Sequence, residues 1–593
     1  MFERKGYIIG QQFMKFFLPT VLMTMALSLS TVVDGMIVGN VLGPDALAAV
    51  NLVLPVTLLF NTVYVLFGVG GSTLFSVALG KRDHERARQL FTVSVGAMAV
   101  TAVAVLFIGL FLCRQIAQGL TGNAPNLTEL VYQYLRVVML AAPFLIIVPG
   151  LVYFLRSSGA VKIASSTLIV ANVVNLCLDV TFIVIFRSGI GGAALATACG
   201  YLVGLLIALW GVKNSKELRF SRKYEHPFRL AKEMAGTGLP SAVNTSLNFF
   251  RLTSINAIVM MYLGSDGVTA FSVCTSCLSI VSMFISGSAQ TMIPLLGTLH
   301  GEKDTAGIRF TIRRAIFITG TSTLLLLLMF EAVPVQITAL FGVTAPAQVE
   351  IAAEAIRIFA LSLPFTGLLF LFMCVYQVLG YRKLSNMIAL LEGFFIVVPA
   401  AWLLARLFGS HGIWWAFLTG ELLTLAVLGV AITVIRSKHP EVTGVFLLEK
   451  PRQDNILDVT MIQTTEQATD LSSQAIRFCR ENQVPELTAN KVGVALEEMA
   501  VNKVLRDKKE NRRSYKKSYI DVRLIMDENE ILVSFRDNGP PYNPLEKKEE
   551  AEAFDNISVA IVMSSEIFYD NILGMNCSMI KIKRENERSM QHE

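Results

Sequence analysis

The chain has 593 residues, of which 53% are hydrophobic and only 16% charged, and its formal net charge is +6. Soluble proteins carry about 25% charged residues, so the composition excludes a water-soluble globular protein and places most of the chain in lipid. The length exceeds that of one ordinary domain, and the small positive balance gives no reason to expect a nucleic-acid partner.

The N-terminal stretch MFERKGYIIGQQFMKFFLP runs straight into a long apolar span, so no cleavable signal is expected. A spanning helix needs about 20 mostly apolar residues. By that measure spans fall near 13–40, 48–79, 91–113, 129–155, 163–187 and 190–213, then near 234–263, 268–298, 312–336, 352–378, 385–407 and 411–436. Basic residues collect in alternate loops: Lys81, Arg82, Arg86 and Arg88; Lys213 to Lys232; Lys303, Arg309, Arg313 and Arg314; Arg382 and Lys383. Lys and Arg are retained on the cytoplasmic side, so both termini are expected there, in the plasma (inner) membrane. The eight cysteines lack framework spacing and are expected to be free thiols. Cys274 and Cys277 form a CxxC inside an apolar run with no second ligand pair nearby, which favours packing over zinc.

The two sets of six spans align without a gap. LGPDALAAV at 42–50 falls on LGSDGVTAF at 263–271, and Gly43 and Gly264 lie 264 − 43 = 221 residues apart. The same offset pairs Pro19 with Pro240, Pro143 with Pro364, Gly159 with Gly380 and Gly191 with Gly412. Register kept over some 170 residues marks a duplicated unit. Two similar lobes, 1–220 and 221–440, are expected to rock about a central cavity.

Ionisable residues inside a span are expensive and point to function. Asp34 lies in helix 1; Asn175 and Asp179 lie one turn apart in helix 5; Thr197 lies in helix 6. Their partners in the second half are Ile255, Ile396, Ala400 and Leu418. Two carboxylates, an amide and a hydroxyl form a set of hard oxygen ligands suited to Na⁺. Two carboxylates held close also favour protonation of one, so the set equally suits H⁺. The bland reading, separate polar residues each satisfied by its own helix, does not explain why all four fall in one half. In the second half Arg251, Glu392 and Glu421 are in-span charges, and with Asn172 they are candidates to line the cavity; Glu331 lies near a span end and reads as interfacial.

These residues resemble the multidrug and toxic compound extrusion (MATE) family over about 10–436. DGMIVGNVLGPDALAAVNLVLP is similar to its helix 1–2 signature, and NVVNLCLD followed by GIGGAALAT to its helix 5–6 signature. The resemblance implies twelve transmembrane helices in two bundles, exporting cationic or amphipathic compounds in exchange for Na⁺ or H⁺. It also implies a cation site at Asp34, Asn175, Asp179 and Thr197. A branch of the family places a glutamate eight residues after a Gly-Leu-Pro in helix 7; here that position holds Asn248.

From about 441 the chain turns polar, with KKENRRSYKK at 508–517 and EKKEEAEAF at 546–554. LDVTMIQ, SYIDVRLIM and EILVSFRD alternate as strands, and 465–482 and 485–506 read as helices. ALEEMAVN followed by RDNGPPYNPL resembles the ATPase-like fold of anti-sigma-factor and histidine kinases. That resemblance implies an ATP/Mg²⁺ site at Glu498, Asn502, Asp537 and Gly539. The phosphate lid expected at 556–562 reads NISVAIV and has no glycine to let the backbone approach phosphates, so phosphoryl transfer is not expected. The alternative for 441–593 is a regulatory or protein-interaction domain.

The expectation is an all-α membrane protein of two pseudo-symmetric six-helix lobes with a small α/β cytosolic domain. It reads as a secondary active exporter of small molecules and not an enzyme. The rivals are a membrane-tethered nucleotide-binding sensor or kinase and a flippase for lipid precursors.

Overall fold

The computed structural model describes every residue except 1–3, 123–124, 223–225, 344, 450–454, 511–518, 528, 542, 544–559, 561–562 and 585–593. The nucleotide lid at 556–562 therefore lies outside the described residues, apart from Ala560. The chain divides into two compact units: Lys15–Glu449, and Met1–Met14 together with Lys450–Glu593.

Hydrocarbon offers no partners to backbone N–H and C=O groups, so a chain crossing it closes these bonds within helices. Among the described residues ten helices are long and apolar enough to cross a membrane. The pair Pro346–Ala360 and Leu363–Val378, bent by 43° at its break, makes an eleventh if counted as one span. One of the ten, Pro227–Gly301, has 75 residues. A straight helix of that length would reach about 110 Å, several times the roughly 30 Å of the hydrocarbon layer. Its backbone leaves the helical region at Gly264 (φ 62°, ψ −152°), where two helices meet.

The repeat read from the sequence is present in the backbone. Helix His84–Phe111 recurs as Thr305–Ala332, and 305 − 84 = 221. Short helix Cys113–Thr121 recurs at the same offset as Pro334–Leu340. Even the helix caps repeat: Asp83 accepts a hydrogen bond from Arg86 N, and Asp304 accepts one from Gly307 N. Each cap satisfies an orphan N–H of its first turn.

The halves meet at the end that carries the basic loops. Helix Gly70–Gly80 packs on helix Pro227–Gly301 with almost no side-chain volume between the backbones. A Cβ on Gly80 would lie 2.0 Å from the carbonyl oxygen of Thr298, and one on Gly301 would lie 2.3 Å from that of Val77. Val77 and Thr298 are also 221 apart, so the crossing is the same contact made twice about the pseudo-twofold axis. Only glycine permits that approach.

In the second unit five strands form an antiparallel sheet: Ile456–Ile462, Tyr519–Met526, Glu530–Asp537, Met575–Lys583 and Glu566–Ile572, in that spatial order. Alternate residues Ile531, Val533 and Phe535 of the central strand are buried, as a sheet covered on one face requires. The covering comes from helices Thr465–Glu481 and Glu486–Glu510, through Leu471, Ala475, Val492 and Leu496. The first residues of the chain belong to this unit. Arg4 Nη1 lies 3.0 Å from Asp458 Oδ2 and its Nε 3.6 Å from Asp521 Oδ2. Thr460 Oγ1 accepts from Lys5 N at 3.0 Å and donates to Asp521 Oδ1 at 2.7 Å. Tyr7 packs on Tyr519, with ring centroids 4.7 Å apart.

Candidate functional site

The four oxygen-bearing residues of the N-terminal half come together. Asn175 and Asp179 are one turn apart on helix Val161–Asp179, so their side chains share a face. Asn175 Nδ2 donates to Asp179 Oδ2 at 3.1 Å and to Thr197 Oγ1 at 3.3 Å. Thr197 reaches the site because helix Gly189–Asn214 approaches closely at Gly200, where a Cβ would stand 2.4 Å from the Ala171 carbonyl oxygen. Asp34 arrives from helix Tyr7–Ile37, and its carboxyl group stands against the Asp179 carboxyl and beside the Ser30 hydroxyl.

Asp179 and Asn175 are almost fully buried, at 2% and 4% exposure. Asp34 Oδ1 is buried too and meets no donor among the described residues. Two carboxyl groups in mutual contact cannot both stay ionised without a cation between them or a proton shared. A buried carboxylate oxygen without a donor makes the same demand. The oxygen atoms of Asp34, Asp179 and Thr197 suit a monovalent cation as well as a proton, while Asn175 turns its amide nitrogen to Asp179 and Thr197 and its oxygen to Ser30. Among the described residues no group of three or more His, Cys, Asp or Glu is placed to hold a metal ion.

Three further side chains belong to this site and carry no sequence signal. Ser30 Oγ donates to Asn175 Oδ1 at 3.5 Å. Tyr134 lies within electrostatic reach of both carboxylates, and Tyr201 within reach of Asp34. Both aspartates also sit beside π-turns, Val38–Leu42 after Asp34 and Val180–Ile185 after Asp179. Such wide turns leave backbone bonds misaligned and recur at functional positions.

Asn172 stands apart from the set: its Nδ2 donates to the Leu168 carbonyl of its own helix at 2.7 Å. In the second half Arg251, Glu392 and Glu421 are gathered in one place, all 5% exposed or less. The sequence also hid a buried cation. Arg156, 1% exposed at the end of helix Pro125–Ser157, donates to Gln290 Oε1 at 2.6 Å and so ties the two halves. Cys274 and Cys277 are buried free thiols.

In the second unit Asp537 and Gly539 are joined by the hydrogen bond Gly539 N to Asp537 Oδ1, 2.8 Å. The same oxygen accepts from Asn576 Nδ2 at 3.0 Å and lies 3.1 Å from Lys503 Nζ. Burial raises the Asp537 carboxyl above the usual aspartate value, and Lys503 opposes it. Glu498 is likewise raised, by desolvation. Glu498 and Asn502 are one turn apart on helix Glu486–Glu510, next to Lys503.

With this geometry in view, the chain matches the MatE family model at 19–181 and again at 240–403. The two matches begin at Pro19 and Pro240, the prolines paired by the 221-residue offset. The chain is 24% identical over 427 residues to the multidrug export protein MepA of Staphylococcus aureus (strain MRSA252), covering 72% of this chain and 94% of that one. It is 25% identical over 396 residues to MepA of Staphylococcus saprophyticus, covering 66% and 86%. Among solved structures, the outward-facing conformation of a multidrug resistance MATE family transporter superposes with a TM-score of 0.68 at 22% identity, over 72% of this chain and 96% of that one. A MATE structure in the bent conformation gives 0.66 at 21%, over 73% and 96%. At these identities the likeness to the structures is one of fold.

Proposed function

This chain belongs to the multidrug and toxic compound extrusion (MATE) family, and on that premise we propose that it is a secondary active multidrug exporter of the plasma membrane. It exchanges Na⁺ or H⁺ for small cationic or amphipathic compounds by alternating access. On this reading the two helices that meet at Gly264 are separate spans and the bent pair is one, making twelve in two six-helix lobes, with both termini on the cytoplasmic side that the basic loops mark.

The observation that carries the reading is the contact between the carboxyl groups of Asp34 and Asp179, on helices 1 and 5. With a proton or Na⁺ in place the two groups attract; without it they repel. Loading therefore draws helix 1 toward helix 5, and unloading releases it. Helix 1 is built to bend: Pro19 removes one backbone hydrogen bond, and the π-turn Val38–Leu42 follows Asp34. Asn175 holds Asp179 in register by donating its amide N–H to it, and Thr197 supplies a neutral oxygen beside them.

For the soluble domain the reading is regulatory rather than enzymatic. An adenine amino group donating to Asp537 would have to displace Lys503 and compete with Asn576. The exporter reading is tested in proteoliposomes with Asp34→Asn and Asp179→Asn. Asp34→Asn is expected to bind substrate yet lose gradient-driven export, and Asp179→Asn to need a higher concentration of the driving ion; export like that of the unmutated protein by either, at an unchanged ion concentration, would overturn it.

A further inference from the structure

The end of the membrane part that carries the basic loops holds a concave site of its own. A cavity of about 1040 Å³ lies there, lined among others by Arg86, Arg229, Lys232, Glu233 and Arg382. It reaches the upper end of small-molecule sites, roughly 300–1,000 Å³, and none of its lining residues belongs to the buried Asp34 or Glu392 clusters. Arg86 comes from the first half and the other four from the second, so the cavity spans the seam where the halves meet.

The charges around it do not cancel. Glu233 is the only acid among the described lining residues, and Arg86 already answers it, with Nη2 donating to its Oε2 at 2.9 Å. Arg229, Lys232 and Arg382 make no side-chain hydrogen bond or ion pair among the described residues. Arg382 is held over the facing helix, where a Cβ on Gly236 would lie 3.1 Å from its Nη1. That helix begins at Pro227 with no acid in its first turn and no side-chain bond from its N-cap, His226. The free N–H groups of a helix start carry partial positive charge, which adds to the three unanswered cations.

The rest of the wall is apolar and includes Leu66, Leu230 and Leu239. Leu239 is 41% exposed, and Phe228 beside Arg229 is 84% exposed. Basic residues that only mark the retained side of a membrane need no cavity, no apolar wall and no common centre. An anionic headgroup with an apolar tail uses all three.

We propose that this cavity binds the phosphate group of a phosphate ester, with Arg229, Lys232 and Arg382 as its donors and the leucines against its apolar part. The apolar wall favours a phospholipid such as phosphatidylglycerol over a water-soluble phosphate. The site is separate from the ion-coupling cluster and does not hold the exported compound. It stands whether or not Asp34 and Asp179 bind Na⁺ or H⁺.

The test is isothermal titration of the purified full chain in an uncharged detergent at about 0.15 M salt, where the screening length is about 8 Å. The probes are dioctanoylphosphatidylglycerol, dioctanoylphosphatidylcholine, which has the same chains and no net charge, and sn-glycerol 3-phosphate, which has no chains. The phosphatidylglycerol is expected to bind at least about tenfold more tightly than the phosphatidylcholine. Arg229→Gln combined with Lys232→Gln is expected to erase that preference; both side chains are exposed, so the fold tolerates their loss. Lys216→Gln combined with Arg222→Gln removes the same charge from exposed positions outside the cavity and is expected to keep the preference. Tighter binding of phosphatidylglycerol than of glycerol phosphate assigns the site to a lipid, and equal binding assigns the same site to a water-soluble phosphate ester. Equal affinity for the two lipids, a preference that survives the loss of Arg229 and Lys232, or one lost as fully with Lys216 and Arg222 overturns the inference.

Discussion

Replacing Asp179 with asparagine isolates the charge at the N-terminal site from its shape. The residue is 2% exposed and its Oδ2 accepts from Asn175 Nδ2 at 3.1 Å. An asparagine amide can still present its oxygen to Asn175 and turn its nitrogen toward Asp34. The variant therefore imitates the protonated pair, and the helices keep their places. What it loses is one charged ligand for the coupling ion. A hydrogen bond or contact involving a charged group contributes about 1.5–3 kcal/mol, which corresponds to a roughly 10- to 150-fold loss of cation affinity. Thr197→Val removes a neutral ligand worth about 0.5–1.5 kcal/mol, so its loss is roughly 2- to 12-fold. The assay is the initial rate of substrate export as a function of driving-ion concentration, read as the half-saturating concentration. Asp179→Asn should raise it by more than Thr197→Val. An unchanged half-saturation in Asp179→Asn, or the reverse order, would refute the assignment.

Gly80→Ala or Gly301→Ala places a methyl group within 2.3 Å of a facing carbonyl oxygen, an overpacking cost of about 1–3 kcal/mol. The seam should open more often, seen as faster thiol labelling of a cysteine placed at the buried Ser76; unchanged labelling would contradict it. Arg4→Ala strips a buried cation from Asp458 and Asp521 and should destabilise the second unit by on the order of 3 kcal/mol. Faster limited proteolysis within 455–584 of the full chain checks this. The Asp537 carboxyl is raised by burial, so the folded unit holds that proton more tightly than the unfolded chain does. Its contribution to stability is therefore present below the unfolded aspartate value and lost as pH rises through the raised one. Thermal melts across that window should show the slope in the unmutated protein and a flatter profile in Asp537→Asn.

Much of this architecture was legible because lipid enforces a simple rule: apolar runs become helices, and a polar residue among them needs a reason. That rule, combined with the 221-residue repeat, singled out Asp34, Asn175, Asp179 and Thr197 against Ile255, Ile396, Ala400 and Leu418. The structure then placed the four within reach of one another. Ser30 was invisible because a serine in a spanning helix commonly bonds its own backbone, and nothing local marks one that bonds a neighbouring helix. Nothing in the local pattern separates Tyr134 and Tyr201 from packing aromatics. Arg156 escaped because a basic residue at a helix end looks like a loop charge. The π-turns leave no compositional trace, since they arise from how helices meet. Equally hidden was the packing of Arg4 to Tyr7 against the sheet of the second unit, which joins residues more than 450 positions apart. The sequence pointed to a nucleotide site at Asp537 but not to Lys503 as its neighbour, because adjacency to Asn502 on a helix says nothing about the strand it faces.

The central claim is that export is driven by an ion bound between Asp34 and Asp179. Its most direct test is substrate export from proteoliposomes under Na⁺ and proton gradients imposed separately. The account predicts that one of these gradients drives export in the unmutated protein and that neither does so in Asp34→Asn. Export that ignores both gradients, or that follows them equally well in Asp34→Asn, would contradict it.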